Sequence, residues 1–124
     1  MVEYIELKID TCQITLCLDN LDQMGAPQFR RMLRYARRVA PYTPETARAL
    51  DTLTQWLPAA VKKADLAARL AKISYIKGYK PTKYLSNEAR HRQADKNEKL
   101  KNDMRRAARR YKALLKLEEI IKGD

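Results

Sequence analysis

The chain has 124 residues and a net charge of +11, from 26 Lys and Arg against 15 Asp and Glu. With 45% hydrophobic and 33% charged residues, its composition is that of a single globular domain over residues 1–124. No apolar run approaches the ~20 residues that span a bilayer, and the acidic, alternating start is unlike a signal peptide. We therefore expect a cytoplasmic or nucleoid-associated protein that is neither secreted nor membrane-bound.

The positive charge is distributed unevenly along the sequence. Residues 1–28 hold one Lys and five acidic side chains, whereas residues 29–124 hold 25 basic and 10 acidic ones. A basic body of this kind is typical of proteins that neutralise nucleic-acid phosphates with Lys and Arg. The alternative interpretation is a charge excess that serves solubility alone.

Apolar and polar side chains alternate over residues 2–18, which predicts a β-hairpin within residues 1–20. A turn at Asp10 and Thr11 would align three apolar pairs on one side of the ribbon: Ile5 with Leu16, Leu7 with Ile14, and Ile9 with Cys12. Two strands alone are marginal in water, so we expect this hairpin to pack on helices or to pair by its edge. Cys12 and Cys17 would lie on opposite faces, which favours reduced thiols.

A first helix is predicted over residues 27–39, because Pro27 suits a first helical turn and Pro41 prevents continuation. Its apolar residues share one side, while five arginines share about a third of the helix circumference. They are Arg30, Arg31, Arg34, Arg37 and Arg38. Guanidinium groups match phosphate geometry, so this face predicts binding to a polyanion. The alternative is a solvated face whose Arg stems cover apolar surface.

A second helix is expected from Thr43 and Pro44, and Pro58 either kinks it or starts a third one. Residues 58–77 are apolar on two sides, with Leu66, Leu70 and Ile73 opposite a row of alanines and Tyr75. A helix with two apolar faces is usually covered on both, so the helical core is predicted over residues 27–77.

Cations and aromatic residues interleave around the predicted loop at residues 78–86. The candidates are Lys77, Tyr79, Lys80, Lys83 and Tyr84. Such a loop suits phosphate binding by Lys with stacking of the rings on unpaired bases. The alternative is that the tyrosines are ordinary amphipathic surface residues.

A last helix is predicted over residues 87–122, capped by Ser86 and ended by Gly123. Its first half is almost wholly polar, which is typical of a segment that projects into solvent, lies along a partner, or is disordered when free. Its second half has an apolar stripe and an opposite basic arc formed by Arg105, Arg106, Arg109, Arg110, Lys112 and Lys116. We expect the apolar stripe to dock on the protein's own core, with a coiled-coil seam between chains as the alternative.

The sequence offers little that would support catalysis. His91 is the single histidine and lies among arginines, the acidic residues occur singly, and there are only three glycines. No nucleophile, metal-ligand or phosphate-loop spacing is present. We therefore predict no enzyme activity, no cofactor and no metal.

The fold expected from these patterns is α+β and predominantly helical, with an N-terminal β-hairpin packed on about four helices and a long basic C-terminal helix. The expected function is non-enzymatic nucleic-acid binding to the phosphate backbone with low sequence specificity, structured RNA being slightly favoured over DNA. The alternative is a small regulator or inhibitor, for example a phage or mobile-element counter-defence factor, that docks on an acidic protein or a ribonucleoprotein. A homodimer through the hairpin edge or the C-terminal helix is compatible with either.

Overall fold

In the computed structural model, the backbone is described for residues 4–9 and 12–123, and the side chains for residues 21–123. The α-helices in this part of the chain are α1 (Ala26–Val39), α2 (Pro44–Gly78) and α3 (Asn87–Gly123). Short 3-10 segments at Leu18–Gln23 and Ala40–Tyr42 flank α1. None of these described helices is long and apolar enough to cross a membrane.

The N-terminal residues have extended backbone. Strand β1 (Tyr4–Ile9) pairs with β2 (Cys12–Cys17) in an antiparallel ribbon, with Leu7 opposite Ile14. The turn predicted at Asp10 and Thr11 lies outside the described residues. The predicted α+β class, a sheet covering about four helices, is nevertheless wrong. Every core side chain whose burial is described belongs to helical structure, and two strands are too few to form a layer of their own. Over residues 4–9 and 12–123 the fold is helical and is built from three α-helices.

The number of helices differs from the prediction because α2 continues through Pro58. Proline has no N–H to donate to the carbonyl of Thr54 and costs a helix interior about 3 kcal/mol. Leu53, Leu57 and Val61 are buried on the turns around it. Full burial of such side chains contributes roughly 1.5–3 kcal/mol each. Their burial offsets the proline, so α2 is one continuous helix and no third helix starts at Pro58, which was one of the two alternatives that the sequence left open.

The chain divides into two compact units. The first unit comprises residues 1–61 and 113–124, and the second comprises residues 62–112. Both α2 and α3 therefore contribute residues to each unit.

The core of the first unit uses one face of α1, the first part of α2 and the end of α3. Its buried side chains are Leu21, Phe29, Met32, Leu33, Ala36, Thr46, Ala49, Leu53, Leu57, Val61, Leu114, Leu117 and Ile120. Burial of Leu114, a member of the apolar stripe predicted on the last helix, agrees with the expectation that this stripe docks on the protein's own core. Leu117, outside that stripe, is also buried. Packing of α1 by its apolar face leaves its opposite, Arg-rich face outward.

The second unit is a helix–loop–helix made by the end of α2, residues 79–86 and the first part of α3. The less exposed side chains of its α2 segment recur at intervals of three and four residues, at Ala64, Ala68, Ala71 and Tyr75. The α3 segment has the same spacing at Leu100, Met104, Ala107 and Tyr111. This periodicity is that of helices packed along a narrow seam, with mainly alanines on α2 facing larger side chains on α3.

The expectation that the second half of α2 is covered on both apolar faces is wrong. Leu66, Leu70 and Ile73 are 58%, 55% and 46% exposed. The second unit has only one other helical segment, which covers one side of α2, so the opposite apolar row is left in solvent.

Candidate nucleic-acid interface

The Arg-rich face of α1 is outward, with one exception. Arg30, Arg31, Arg34 and Arg38 are exposed, and the guanidinium of Arg38 lies 5.9 Å from the centre of the Tyr35 ring. At this distance the ring and the cation attract each other, which orients Arg38 without burying it. These four guanidinium groups are therefore accessible to solvent.

Arg37 instead bonds within the protein. Its Nη2 donates a partly buried hydrogen bond of 2.9 Å to the carbonyl oxygen of Ile121, in the last turn of α3. The last carbonyls of a helix have no intrahelical donor and carry partial negative charge, so a guanidinium there satisfies and stabilises the helix end. The sequence held a signal for this role, because Arg37 lies one turn after the buried Leu33, at the edge of the apolar face.

The loop that follows α2 is held by amide side chains of α3. Asn97 Nδ2 donates to the Lys80 carbonyl at 2.9 Å, and the Lys80 N–H donates to Asn97 Oδ1 at 3.2 Å. Gln93 Nε2 donates to the carbonyl of Gly78 at 3.2 Å and to Asn97 Oδ1 at 2.7 Å. A Cβ on Gly78 would lie 2.6 Å from Leu100 Cδ1, so the end of α2 approaches α3 too closely here for a larger residue than glycine unless the Leu100 side chain moves.

Gln93 and Asn97 are functional candidates that sequence reasoning missed. They are four residues apart and so share one face of α3, opposite the stretch from Gly78 at the end of α2 to Pro81 in the loop. An amide pair at this spacing beside a Gly/Pro loop is the signal that could have identified them. They act as positioning residues, since they fix the backbone that carries Lys80.

The candidate side chains of the loop are exposed. Tyr84 is 89% exposed, and the Lys83 ammonium lies 5.7 Å from the centre of its ring. The Lys83 carbonyl accepts a 3.3 Å hydrogen bond from Arg90 Nη2. Tyr79 packs against Tyr75 with ring centres 5.5 Å apart and planes at 43°. Lys77 and Lys80 are also exposed.

The basic residues of α3 are exposed as expected, at Arg105, Arg106, Arg109, Arg110, Lys112 and Lys116. Lys101, Arg105, Arg109 and Lys112 recur at intervals of four, four and three residues and therefore form one row along the helix. At 1.5 Å per residue this row is about 16 Å long. Lys101 was not among the sequence candidates, although the same spacing includes it.

The two units carry very different charge. Residues 62–112 contain 17 Lys and Arg against 5 Asp and Glu, whereas the first unit contains 9 against 10. The whole positive excess of the protein thus belongs to the second unit. That unit contains the Lys/Tyr loop and Arg105, Arg106, Arg109, Arg110 and Lys112. The α1 arginines and Lys116 belong to the first unit.

The described side chains contain no cluster of His, Cys, Asp and Glu arranged to hold a metal ion. His91 is exposed on α3.

Comparisons with protein-family models, curated proteins and solved structures found no match for this chain.

Proposed function

We propose that the protein binds nucleic acid through its phosphate backbone, mainly with residues 62–112. The observation that carries the proposal is the separation of charge between the two units. Residues 62–112 have 12 more basic than acidic side chains, while the first unit has one more acidic than basic. Solubility does not require charge of one sign to be concentrated in one compact unit, whereas attraction of a polyanion does.

The row formed by Lys101, Arg105, Arg109 and Lys112 is the proposed principal phosphate contact. Its side chains are exposed and follow one line for about 16 Å along α3. Guanidinium groups in such a row bind phosphates in a bidentate manner, which gives affinity and orientation but reads no base sequence. The proposed binding is therefore of low sequence specificity.

The Lys/Tyr loop is the proposed second contact. The Asn97 bonds hold the loop backbone at Lys80, which lowers the entropy lost when lysines in this segment bind phosphates. The exposed Tyr84 ring offers a stacking surface for an unpaired base. A combination of phosphate row and stacking ring suits RNA with unpaired bases better than uniform duplex DNA.

The arginines of α1 have a smaller proposed role. Arg30, Arg31, Arg34 and Arg38 are exposed but belong to a unit without a positive excess, so the local potential attracts phosphates less strongly. Arg37 is proposed to stabilise the fold rather than to bind phosphate, because its guanidinium donates a hydrogen bond to the carbonyl of Ile121. The proposed place of action is the cytoplasm or nucleoid, where nucleic acid is available.

Fluorescence anisotropy tests the proposal directly. Labelled hairpin RNA, single-stranded DNA and duplex DNA are titrated with nuclease-treated protein at several NaCl concentrations. Each neutralised phosphate lowers the slope of log K against log salt by roughly 0.7–0.9. We expect a slope of about −3 or steeper for hairpin RNA, as four cations in the α3 row would give. A flat salt dependence, or no binding to all three at low salt, would refute the proposal.

A further inference from the structure

The exposed row of α2 is the most distinctive surface that the nucleic-acid proposal leaves unused. Leu66, Leu70 and Ile73 follow each other at intervals of four and three residues and are each about half exposed. Ile76, three residues after Ile73 and 65% exposed, borders the row at its C-terminal end. They lie on the side of α2 opposite Ala64 and Ala68, which are buried or half-buried. Scattered exposed aliphatic residues are ordinary, but a row with coiled-coil spacing is a ready helix-packing seam.

We propose that this row, the α2 seam, docks an amphipathic helix of another protein whose seam is flanked by acidic residues. The width of the row favours a helix. A row at a and d spacing covers a narrow stripe, as in the seam of two packed helices, whereas helices that lie in membranes carry a broad apolar face with large aromatic residues. No Trp or Phe occurs in residues 62–78.

The charges around the α2 seam define the partner's chemistry. Lys63 precedes Leu66 by three residues and Lys77 follows Ile73 by four, so an exposed lysine stands in line with the row at each end. Lys62 and Arg69 border one side, and Arg69 Nε lies 3.3 Å from Asp65 Oδ1. Glu or Asp at the corresponding flanks of a partner helix would meet these cations, as opposite charges at flanking positions do in heteromeric coiled coils.

The same charges argue against a second copy of this chain as the occupant. A parallel pair would place Lys63 opposite Lys63 and Lys77 opposite Lys77, and an antiparallel pair centred on Leu70 would place Lys63 opposite Lys77. Either arrangement puts like charges at both ends of the seam. Such juxtaposition suppresses pairing.

The proposal is tested with three labelled peptides of equal length. The first has Leu at a and d and Glu at e and g, the second replaces Glu with Lys, and the third keeps Glu but replaces Leu with Gln. We expect the protein to bind the first peptide and to bind the other two at least about tenfold more weakly, the difference that loss of a hot-spot contact produces. Equal binding of the two Glu peptides would refute the proposal, because attraction would then be electrostatic alone.

Two test variants and one control locate the binding. Leu70→Gln should weaken binding of the first peptide by about tenfold or more, whereas the control Tyr42→Gln, at a side chain 87% exposed in the first unit, should not. Gln is a good helix former, and circular dichroism checks that both variants keep their helices. Lys62→Glu with Lys63→Glu should shift preference from the Glu-flanked toward the Lys-flanked peptide. An unchanged preference, or equal effects of the two Gln variants, would contradict the assignment.

Other occupants are distinguished with the same variants. If Leu70→Gln dissolves a dimer seen in sedimentation velocity, the α2 seam is covered by a second copy and the proposal is wrong. Binding to anionic phospholipid vesicles that is lost in Leu70→Gln, with no binding of the first peptide, would also overturn it. Leu70→Gln should leave RNA affinity unchanged. Failure of the helix-docking proposal can therefore be distinguished from failure of the nucleic-acid proposal.

Discussion

Asn97 forms two hydrogen bonds with the backbone of Lys80, one in each direction, at 2.9 and 3.2 Å. The side-chain amide thus satisfies both the N–H and the carbonyl of a loop residue 17 positions earlier in the chain. Gln93 adds bonds to the Gly78 carbonyl and to Asn97. Two of the polar residues in the first half of α3 thus attach the loop to it through their amide groups.

Asn97→Ala should therefore loosen the loop. Loss of the two hydrogen bonds to Lys80, at about 0.5–1.5 kcal/mol each, should destabilise the loop by about 1–3 kcal/mol. Since 1.4 kcal/mol is about a factor of ten, the Lys80 amide should exchange with solvent roughly tenfold faster or more. Hydrogen exchange followed by NMR measures this effect directly.

Asn102→Ala is the matched control for Asn97→Ala. Asn102 is exposed on the same helix, so the change gives the same gain in helix propensity without touching the loop. It should leave exchange at Lys80 unchanged. Equal exchange in the two variants would show that the Asn97 bonds do not hold the loop in solution.

Arg37→Ala should destabilise the first unit, in contrast to Arg34→Ala. Arg37 donates to the Ile121 carbonyl near the negative end of α3, whereas Arg34 is exposed on the same face of α1. Hydrogen bonds to charged groups contribute about 1.5–3 kcal/mol, and the lower half of that range applies to a partly buried one. Urea unfolding should give a lower midpoint for Arg37→Ala only. Equal midpoints would assign Arg37 to the solvated face with the other arginines.

Charge reversal on the two basic helices should affect nucleic-acid binding unequally. Arg105→Glu with Arg109→Glu removes two members of the proposed row on α3, so the slope of log K against log salt should become shallower by about two. Arg30→Glu with Arg34→Glu makes the same change of charge on α1, in the unit without a positive excess. It should weaken RNA binding less. Anisotropy titrations at matched salt compare the two variants.

The opposite order of these two effects would move the proposed interface from the second unit to α1. Equal and small losses of RNA affinity in the two variants would mean that RNA binding depends only on the total charge of the protein. Circular dichroism should be unchanged in both variants, because all four arginines are exposed.

Local signals in the sequence were sufficient for much of the helical structure. Pro27 and Ser86 correctly marked helix starts, and the Ser86 hydroxyl accepts a 3.4 Å hydrogen bond from the Ala89 N–H. The outward face of α1 also followed from periodicity, since Phe29 and Leu33 are buried opposite the arginines. Caps and amphipathic faces depend on neighbours within a few residues, which a sequence contains.

Features that depend on distant partners were not accessible in this way. Periodicity identified two apolar faces on the second half of α2, but it could not reveal that Leu70 would remain exposed while Ala64 was buried. The separation of charge between the two units could not be predicted from the sequence either. Residues 113–124 belong with the N-terminal unit, so the division does not follow sequence order.

The continuity of α2 through Pro58 gives a further prediction, that Pro58→Ala stabilises the protein. Alanine restores an N–H for the Thr54 carbonyl and removes the steric conflict of the ring, a gain of up to about 3 kcal/mol. Alanine also gives the unfolded chain more conformational freedom than proline, which reduces this gain in the free energy of unfolding by about 0.4–1 kcal/mol. The net gain of about 1–2 kcal/mol should raise the urea midpoint.

Pro44→Ala is the matched control for Pro58→Ala, because Pro44 begins α2, where proline loses no helical bond. That change should lower the midpoint slightly, since only the effect on the unfolded chain remains. If Pro58→Ala instead lowers the midpoint as much as Pro44→Ala or more, the half-buried ring of Pro58 stabilises the fold through packing. Its contacts would then outweigh the missing hydrogen bond.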